Sequence, residues 1–542
     1  MADRLDTYEI IVVGAGSAGC VVAGRLAQTG RYRILVLEAG PNDRSPWIHL
    51  PIGYGKSFYA SRVNWMYRTE PVPGLESRII YQPRGKVVGG SSSINAMVFV
   101  RGQAEDFDGW AGMGNPGWAW SDLLPLYRRM EDHDLGENTF HGTGGPVHVT
   151  DTRKEVHPLT HKFVVAAQEA GLPYNTDLNG LTQEGVGYYQ INTRAGLRDS
   201  AARAYLRPAL KTGRVRLETL ALVTRILLKG HRAVGVEYLK GGTLRQAKAS
   251  MEVIISGGAI NSPQLLQLSG IGPARLLKER GFDVAVDLRA VGAHLQDHVC
   301  YDHIYRSRQP SLNDDLLPLA GKIRVGMQYL LTRRGPLALS VNQAGGFYRS
   351  RAAAGRPDMQ LYFSPLSYER AVSGVRALMK PDAFSGFSTS ISPCRPTSRG
   401  RVTVKSRDPT AAPAIEPNYL STEEDVADMI AGAKFLRRIA ATRTFATLIA
   451  EELKPGADFQ SDEELLADIR VRAYSVFHPC GTCRMGPDPS DAVVDAKLRV
   501  HGLAGLRIAD ASIFPTVPSG NINAPAMLVG EKAADLVRQS DD

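Results

Sequence analysis

The sequence lacks any run of about 18 apolar residues, so no membrane-spanning helix is expected. Cysteine is scarce: five in 542 residues, an odd count that argues against a disulfide framework. Cys480 and Cys483 form a CxxC with no second pair of ligands at similar spacing, so they read as two small buried residues and not as a zinc site. His294 and His298 stand four apart but have no third ligand, and no metal is expected. The net charge is +9, yet Lys and Arg are spread along the chain with no basic run interleaved with aromatics. That pattern excludes a nucleic-acid partner. The start, MADRLDTYEI, is polar before it enters an apolar stretch and has no signal-peptide pattern. A cytoplasmic location is the expectation, with peripheral membrane association left open.

Glycine, by contrast, is abundant, with 54 residues, and its placement is informative. In the stretch Tyr8 to Gly40, an apolar run at Ile10 to Val13 predicts a strand buried on both faces. Gly14, Gly16 and Gly19 follow at GxGxxG spacing, and Cys20 to Ala27 continues as a small-residue helix. Gly14 suits the tight turn out of the strand. Gly16 lets backbone approach a pyrophosphate, and Gly19 lets the helix pack close to the sheet. The helix N-terminus, with Ser17 and Ala18 in its first turn, offers free N–H groups and a positive dipole end. A second strand, Ile34 to Leu37, ends at Glu38 and Ala39, where a carboxylate can hold the ribose hydroxyls of an adenine dinucleotide. The acid favours FAD or NAD over NADP.

At 542 residues the chain should form two domains, with discontinuous segments admitted. Residues 41 to 80 read as an irregular excursion over the first domain, in which Trp65 is a candidate cover for a cofactor ring. A second Gly/Ser-rich loop follows, with Gly85, Val88, Gly89, Gly90 and Ser93 before the apolar run Ile94 to Val100. Its dense backbone N–H groups suit a pyrophosphate or the polar rim of a flavin, with Asn95, Ala96, Met97 and Val98 beside it. Pro158 to Gly171 reads as a helix, and Val215 to Lys229 as a strand pair around Thr219. Glu252 to Ile255 reads as a strand leading to Gly258 and Ala259, and Asn261-Ser262-Pro263 as a helix start. From about Asp297 to Ser475 aromatics, prolines and arginines increase, predicting a substrate domain. Within it, helices at Thr422 to Ile439 and Ser461 to Val471 are opened by Thr and Ser caps.

Gly85 to Gly102 and the segment from Gly258 to Gly272 resemble the two signatures of the glucose–methanol–choline (GMC) oxidoreductases. The resemblance runs from about Tyr8 to Leu536. It implies FAD. It also implies a Rossmann-like FAD domain built from residues 1–155, 193–296 and 476–542, with a substrate domain of 156–192 and 297–475 whose antiparallel sheet and helices lie over the flavin face. Phe477 to Gly486 resembles the family's HxxGTxxMG motif. This implies His478 as the base that takes the hydroxyl proton of an alcohol while hydride passes to flavin N5, with Asn521 beside it and Asn523 as the rival for that place. A histidine suits the role because its pKa lies near working pH. The resemblance further implies that Val223 holds the adenine, that Asp510 and Ala511 contact the pyrophosphate or ribityl chain, and that Asn523 and Ala524 close the site.

Two departures matter. Where some members link FAD covalently through a histidine, this chain has Ile94, so non-covalent FAD is expected. Where choline-oxidising members carry a glutamate, this chain has Gln343, which speaks against a quaternary-ammonium substrate. The remaining histidines, among them His133, His141 and His148, read as residues of polar loops. The expected activity is oxidation of a primary or secondary alcohol, with reoxidation by a quinone-type acceptor or O2. An FAD-containing lyase of the same fold, and a non-catalytic flavin-binding protein, are the alternatives.

Overall fold

The computed structural model describes residues 7–351, 354–369 and 380–541; the polar lead-in 1–6 lies outside them. The first apolar run forms the strand Thr7–Val13, with Ile10, Ile11 and Val12 fully buried. It lies between Ile34–Glu38 and Thr243–Ile255, parallel to both, with Val13 opposite Leu37 on one side and Ile255 on the other. Val215–Thr219 extends the sheet beyond Ile34–Glu38, and Leu506–Ile508 pairs in parallel with Thr243–Ile255. The helix Ser17–Gln28 follows the first strand and packs on the C-terminal helix Asn523–Asp541. This is a mixed α/β fold with a Rossmann-like βαβ core.

Two local expectations need correction. Val215–Thr219 and Ala221–Lys229 are strands, but they do not pair with each other. The first runs parallel to Ile34–Glu38, while the second is antiparallel to Arg232–Lys240, so they sit at opposite ends of the sheet order. The lone residue between them, Leu220 (φ +55°), gives its N–H to Gly40 O. A single residue cannot reverse the chain into a hairpin, which needs a loop of at least about two. The helix expected to start at Asn261-Ser262-Pro263 begins earlier, spanning Gly258–Leu268 with Pro263 inside it. Proline has no N–H for the carbonyl four residues back. That carbonyl, Ala259 O, instead accepts the Thr482 hydroxyl at 2.6 Å. Pro263 is tolerated because a distant side chain takes the hydrogen bond it cannot make.

The second sheet is antiparallel, in the order Ala344–Tyr348, Met359–Ser364, Gly386–Pro393, Val299–Ser307 and Ile449–Lys454, with Tyr474–Ser475 beside Val299–Ser307. Its strands alternate with the period of two that a sheet requires. Leu361, Phe363, Phe387, Ile391, Tyr301 and Tyr305 point into a core shared with the helices Pro158–Glu169 and Glu423–Ala440. The second helix comes close at Gly432, where a Cβ would lie 2.6 Å from Met359 Cε. The intervening residues, Tyr362, Ser364, Ser388, Ser390, Cys300 and Asp302, face a cleft shared with the first sheet. The helices therefore cover the far face of the second sheet, and its bare polar face looks into the cleft. The expected caps are present: Thr422 accepts from Asp425 N–H, and Ser461 forms a capping box with Glu464.

Candidate functional site

The cleft lies at the C-terminal ends of the parallel strands, where Val13, Leu37, Glu38 and Ser256 meet the polar face of the second sheet. It encloses about 2570 Å³ of space between protein atoms, its open mouth included. Its floor is backbone held close by glycine. At Gly14 (φ +101°) a Cβ would lie 2.4 Å from Ser256 O, and at Gly90 a Cβ would lie 2.6 Å from Gly16 Cα. At Gly16 itself nothing comes nearer than 3.7 Å, so this residue presents open backbone. The helix after it has no side-chain cap, leaving its first N–H groups for a ligand. Glu38 is buried at the strand end and accepts N–H groups of Ala15 (2.9 Å) and Gly40 (2.8 Å). Burial pushes its carboxyl up to about 7 against the pull of those donors. An elongated cleft with a glycine-cradled anion site at one end and a buried acid beside it fits an adenine dinucleotide.

Most of the predicted cofactor residues line this cleft: Gly14, Gly16, Ser17, Ala18, Glu38, Ala39, Trp65, Gly85, Gly90, Asn95, Ala96, Met97, Val98, Val223, Gly258, Ala259, Asp510, Ala511, Asn521 and Asn523. Five stand behind the wall. At Gly19 a Cβ would lie 2.0 Å from Gly14 O, so this glycine allows the helix to close on the turn. Val88 and Ala524 are buried in packing. Gly89 adopts φ +91°, and Ser93 bonds Val88 O at 2.8 Å. Asp510 gives one oxygen to Gly258 N–H and the Ser262 hydroxyl and the other to Ser512 N–H, holding two loops together at the cleft. Asn523 Oδ1 accepts the Ser17 hydroxyl at 2.8 Å, which ties the C-terminal helix to the glycine turn. Ile94 lines the cleft, and its aliphatic side chain has no atom that could link a flavin.

His478 and Asn521 face each other in the cleft, Asn521 Nδ2 lying 3.2 Å from His478 Nε2. The proton positions follow from partners whose roles are fixed. Cys394 O can only accept, so His298 Nε2, at 2.9 Å, carries a hydrogen. Burial lowers the pKa of His298, keeping it neutral, so its Nδ1 is a bare acceptor. That Nδ1 lies 2.9 Å from His478 Nδ1, which must donate. His478 is neutral too, its pKa driven well down by burial and then by the competing ring of His298 and the Arg84 guanidinium. Its Nε2 is therefore an acceptor on the cleft side, where Asn521 Nδ2 meets it. The amide is fixed in the same way: Tyr189 OH donates to Leu361 O and so accepts from Gln360 Nε2, which also donates to Asn521 Oδ1 at 3.1 Å. Asn521 is thus turned to present N–H to His478.

The backbone at His478 is pinned from both sides. Phe477 holds φ +70°, a strained conformation for an aromatic residue. Arg84 Nη2 donates to Phe477 O at 2.6 Å, and Asp297 Oδ1 accepts His478 N–H at 2.7 Å. Asp297 Oδ2 gathers Ser475 Oγ, Tyr419 OH and Gln82 Nε2.

The sequence marked His298 only as half of a rejected metal pair and Asp297 only as the start of the substrate domain; the structure places the His298 ring and the Asp297 carboxylate at His478. His298 lies outside a helix, and no motif marks it. His133 lies in the short strand Glu131–His133 and His141 in a loop, but both are buried and stacked at 3.8 Å in an ionic cluster with Arg101, Glu131 and Asp177. Gln343 is also corrected. It is buried away from the cleft, where its Oε1 accepts His157 N–H and the Thr160 hydroxyl, each at 2.8 Å. Its lack of charge therefore says nothing about the substrate. The carboxylate that lines the second sheet's side of the cleft is Asp302, 3.3 Å from Arg472 Nη1.

Comparison with known proteins agrees with this architecture. The family models for GMC oxidoreductase match residues 8–300 and 396–530. The chain is 44% identical over 543 residues to the mitochondrial choline dehydrogenase of Mus musculus, covering 98% of this chain and 90% of that protein. It is 42% identical over 531 residues to the oxygen-dependent choline dehydrogenase of Brucella anthropi, covering 98% and 95%. Among solved structures, pyridoxine 4-oxidase from Mesorbium loti superposes with a TM-score of 0.89 at 31% identity, over 98% of this chain and 99% of that one. Formate oxidase does so at 0.92 and 27%, over 99% of each. The chain belongs to the GMC oxidoreductases, FAD-dependent enzymes that act on CH–OH donors.

Proposed function

We propose that the protein oxidises a small polar alcohol to the aldehyde or ketone, with His478 as general base and Asn521 as its partner. The observation that carries this reading is the unprotonated Nε2 of His478, set as an acceptor by the chain Cys394 O–His298–His478 and met by the Asn521 amide at 3.2 Å. A substrate hydroxyl that takes the place of the Asn521 N–H at Nε2 gives its proton there, and the displaced N–H holds the oxygen as negative charge develops. FAD, when bound, supplies the hydride acceptor for the carbinol carbon. With Ile94 in the wall, the cofactor is held without a covalent link, through Glu38, the open backbone at Gly16 and the helix N-terminus. The polar face of the second sheet, with Ser364, Ser388, Ser390 and Asn342, gives the substrate's far end hydrogen-bonding partners. Reoxidation falls to a quinone-type acceptor or to O2.

A cationic amino alcohol of the choline type is favoured within that class by Asp302 in the cleft wall and by tyrosine rings at Tyr54, Tyr362 and Tyr368. The test is anaerobic mixing of the FAD-loaded protein with choline and with its neutral isostere 3,3-dimethylbutan-1-ol. Bleaching of the flavin by either alcohol supports oxidation. A preference for choline of about tenfold or more supports recognition of the cation. No bleaching by any alcohol in a panel of primary and secondary alcohols, from a protein that holds FAD, overturns the reading. Admitting air afterwards separates O2 from a quinone-type acceptor.

A further inference from the structure

The helix Leu319–Thr332 is seated the wrong way round for a soluble surface. Only Gly321, Val325 and Tyr329 are buried, a narrow seam at four-residue spacing. The large apolar side chains Leu319, Ile323, Met327, Leu330 and Leu331 are exposed, Leu319 by 74% and Leu331 by 81%. At about 100° per residue the stripe formed by these five residues lies roughly opposite the buried seam. An ordinary surface helix puts charge there. Residues 319–334 hold four basic residues, Lys322, Arg324, Arg333 and Arg334, and no acidic one. All four are exposed, with Lys322 and Arg324 on the two flanks of the stripe; Arg324 pairs with Asp315 and Arg334 with Glu155, so Lys322 and Arg333 carry the excess positive charge. Trp47, also exposed, carries Lys56 over its ring at 3.2 Å, and nearby Lys322 adds to the desolvation that lowers the pKa of Lys56. The same face therefore also presents an aromatic–basic pair.

We propose that this face docks on an anionic lipid bilayer, with the apolar stripe in the headgroup–acyl boundary and the basic residues among the phosphates. Charge selects this occupant. A second copy would bring the same basic flanks against these, whereas an anionic surface attracts each of them. The placement also has a consequence for the cleft. The turn Pro336–Ala338 after the helix packs on Pro51–Gly53, and the adjoining Tyr54 and Phe58 line the cleft. Leu312, Leu316, Leu339 and Val341 form one small core with Tyr54 and Phe58. Docking would bring this wall of the cleft to the lipid, where a lipid-soluble quinone resides.

The test reads vesicle binding without turnover, so it stands apart from the alcohol-oxidation reading. The full-length FAD-loaded protein is floated with phosphatidylcholine vesicles, with and without phosphatidylglycerol. The wild type is expected to float with the anionic vesicles and to be released by high salt. L330E/L331E should bind at least tenfold more weakly, and K322E/R333E should lose the preference for phosphatidylglycerol. L181E, at a leucine 86% exposed elsewhere, should bind as the wild type does, which controls for any loss of surface apolar area. All variants should keep FAD and their activity with a soluble dye. Failure of the wild type to float, or undiminished flotation of L330E/L331E, overturns the proposal. A wild-type dimer in light scattering that L330E/L331E dissolves, without vesicle binding, would assign the face to a second copy and overturn it equally.

Discussion

Two buried pairs of histidines show how one residue type serves opposite ends. His298 and His478 meet edge to face at 5.2 Å, and no carboxylate bonds either ring. His133 and His141 stack at 3.8 Å, but His141 Nδ1 faces Glu131 at 3.1 Å and its Nε2 faces Asp177 at 2.7 Å. Burial disfavours the charged ring in both places. In the first pair burial outweighs the opposing pull of Cys394 O, Asp297 and Asp106 on His298, and both pKa values are lowered. In the second, the hydrogen bonds to Asp177 and Glu131 outweigh burial and raise His141 above its ordinary pKa, while Glu131 is held down by Arg101. The first pair is a directed proton path ending in a lone pair at the cleft. The second is an ion cluster whose bonding capacity is spent on holding the segment 131–179 together.

The contrast is broken most severely at His478. H478A removes the proposed base and should lower kcat/KM by about 10³, while bound flavin and melting temperature stay near wild type. Retained activity would mean that another group takes the proton. H298F leaves His478 Nδ1–H without its acceptor and frees the ring to adopt either tautomer. The expected loss in kcat/KM is on the order of tenfold to a hundredfold, with a change in pH profile that a merely structural defect would not give. In the wild type His478 is active when neutral, and its lowered pKa keeps the plateau down to pH values below the usual histidine range. Removing His298 removes one cause of that lowering, so the acid limb should move to higher pH. A limb that stays in place would uncouple the two rings.

These same groups set a sign for acid stability. The neutral histidines 298, 303 and 478 have lowered pKa values, so the unfolded chain binds more protons below about 6.5. Their contribution to stability is therefore present above that value and is lost as pH falls toward the folded pKa values. His141 acts oppositely: its stabilisation is complete below the unfolded pKa and fades as pH rises through its raised folded value.

The glycine turn was legible because its physics is local. Gly14, Gly16 and Gly19 lie within six residues; Gly14 and Gly19 each meet a backbone constraint that another residue type would violate, and Gly16 presents open backbone to the cleft. The caps at Thr422 and Ser461 were legible for the same reason. His298 was not, because its partner lies 180 residues away and neither its type nor its neighbours mark the encounter. Gln343 was misread because motif alignment gives a position, not a direction: just before the strand Ala344–Tyr348 its side chain turns toward Thr160. The helix at Gly258 began early because Asp510 and Thr482, both far along the chain, satisfy its first turn.

The second pair sharpens the comparison through smaller effects. H141Q keeps one polar contact at most and leaves an oxygen of Glu131 or Asp177 short of a donor. It should cost on the order of 1–3 kcal/mol of stability in chemical denaturation, with kcat unchanged. The smallest effect is expected at His133. Its Nε2 is buried with no hydrogen-bond partner, while its Nδ1 accepts Leu135 N–H at 3.1 Å. H133F removes an unsatisfied nitrogen, which stabilises, and orphans one backbone donor, which destabilises, so the net change should fall within about 1 kcal/mol. A large loss would mean that His133 bonds within the cluster, and the ion network would then include both rings, not His141 alone.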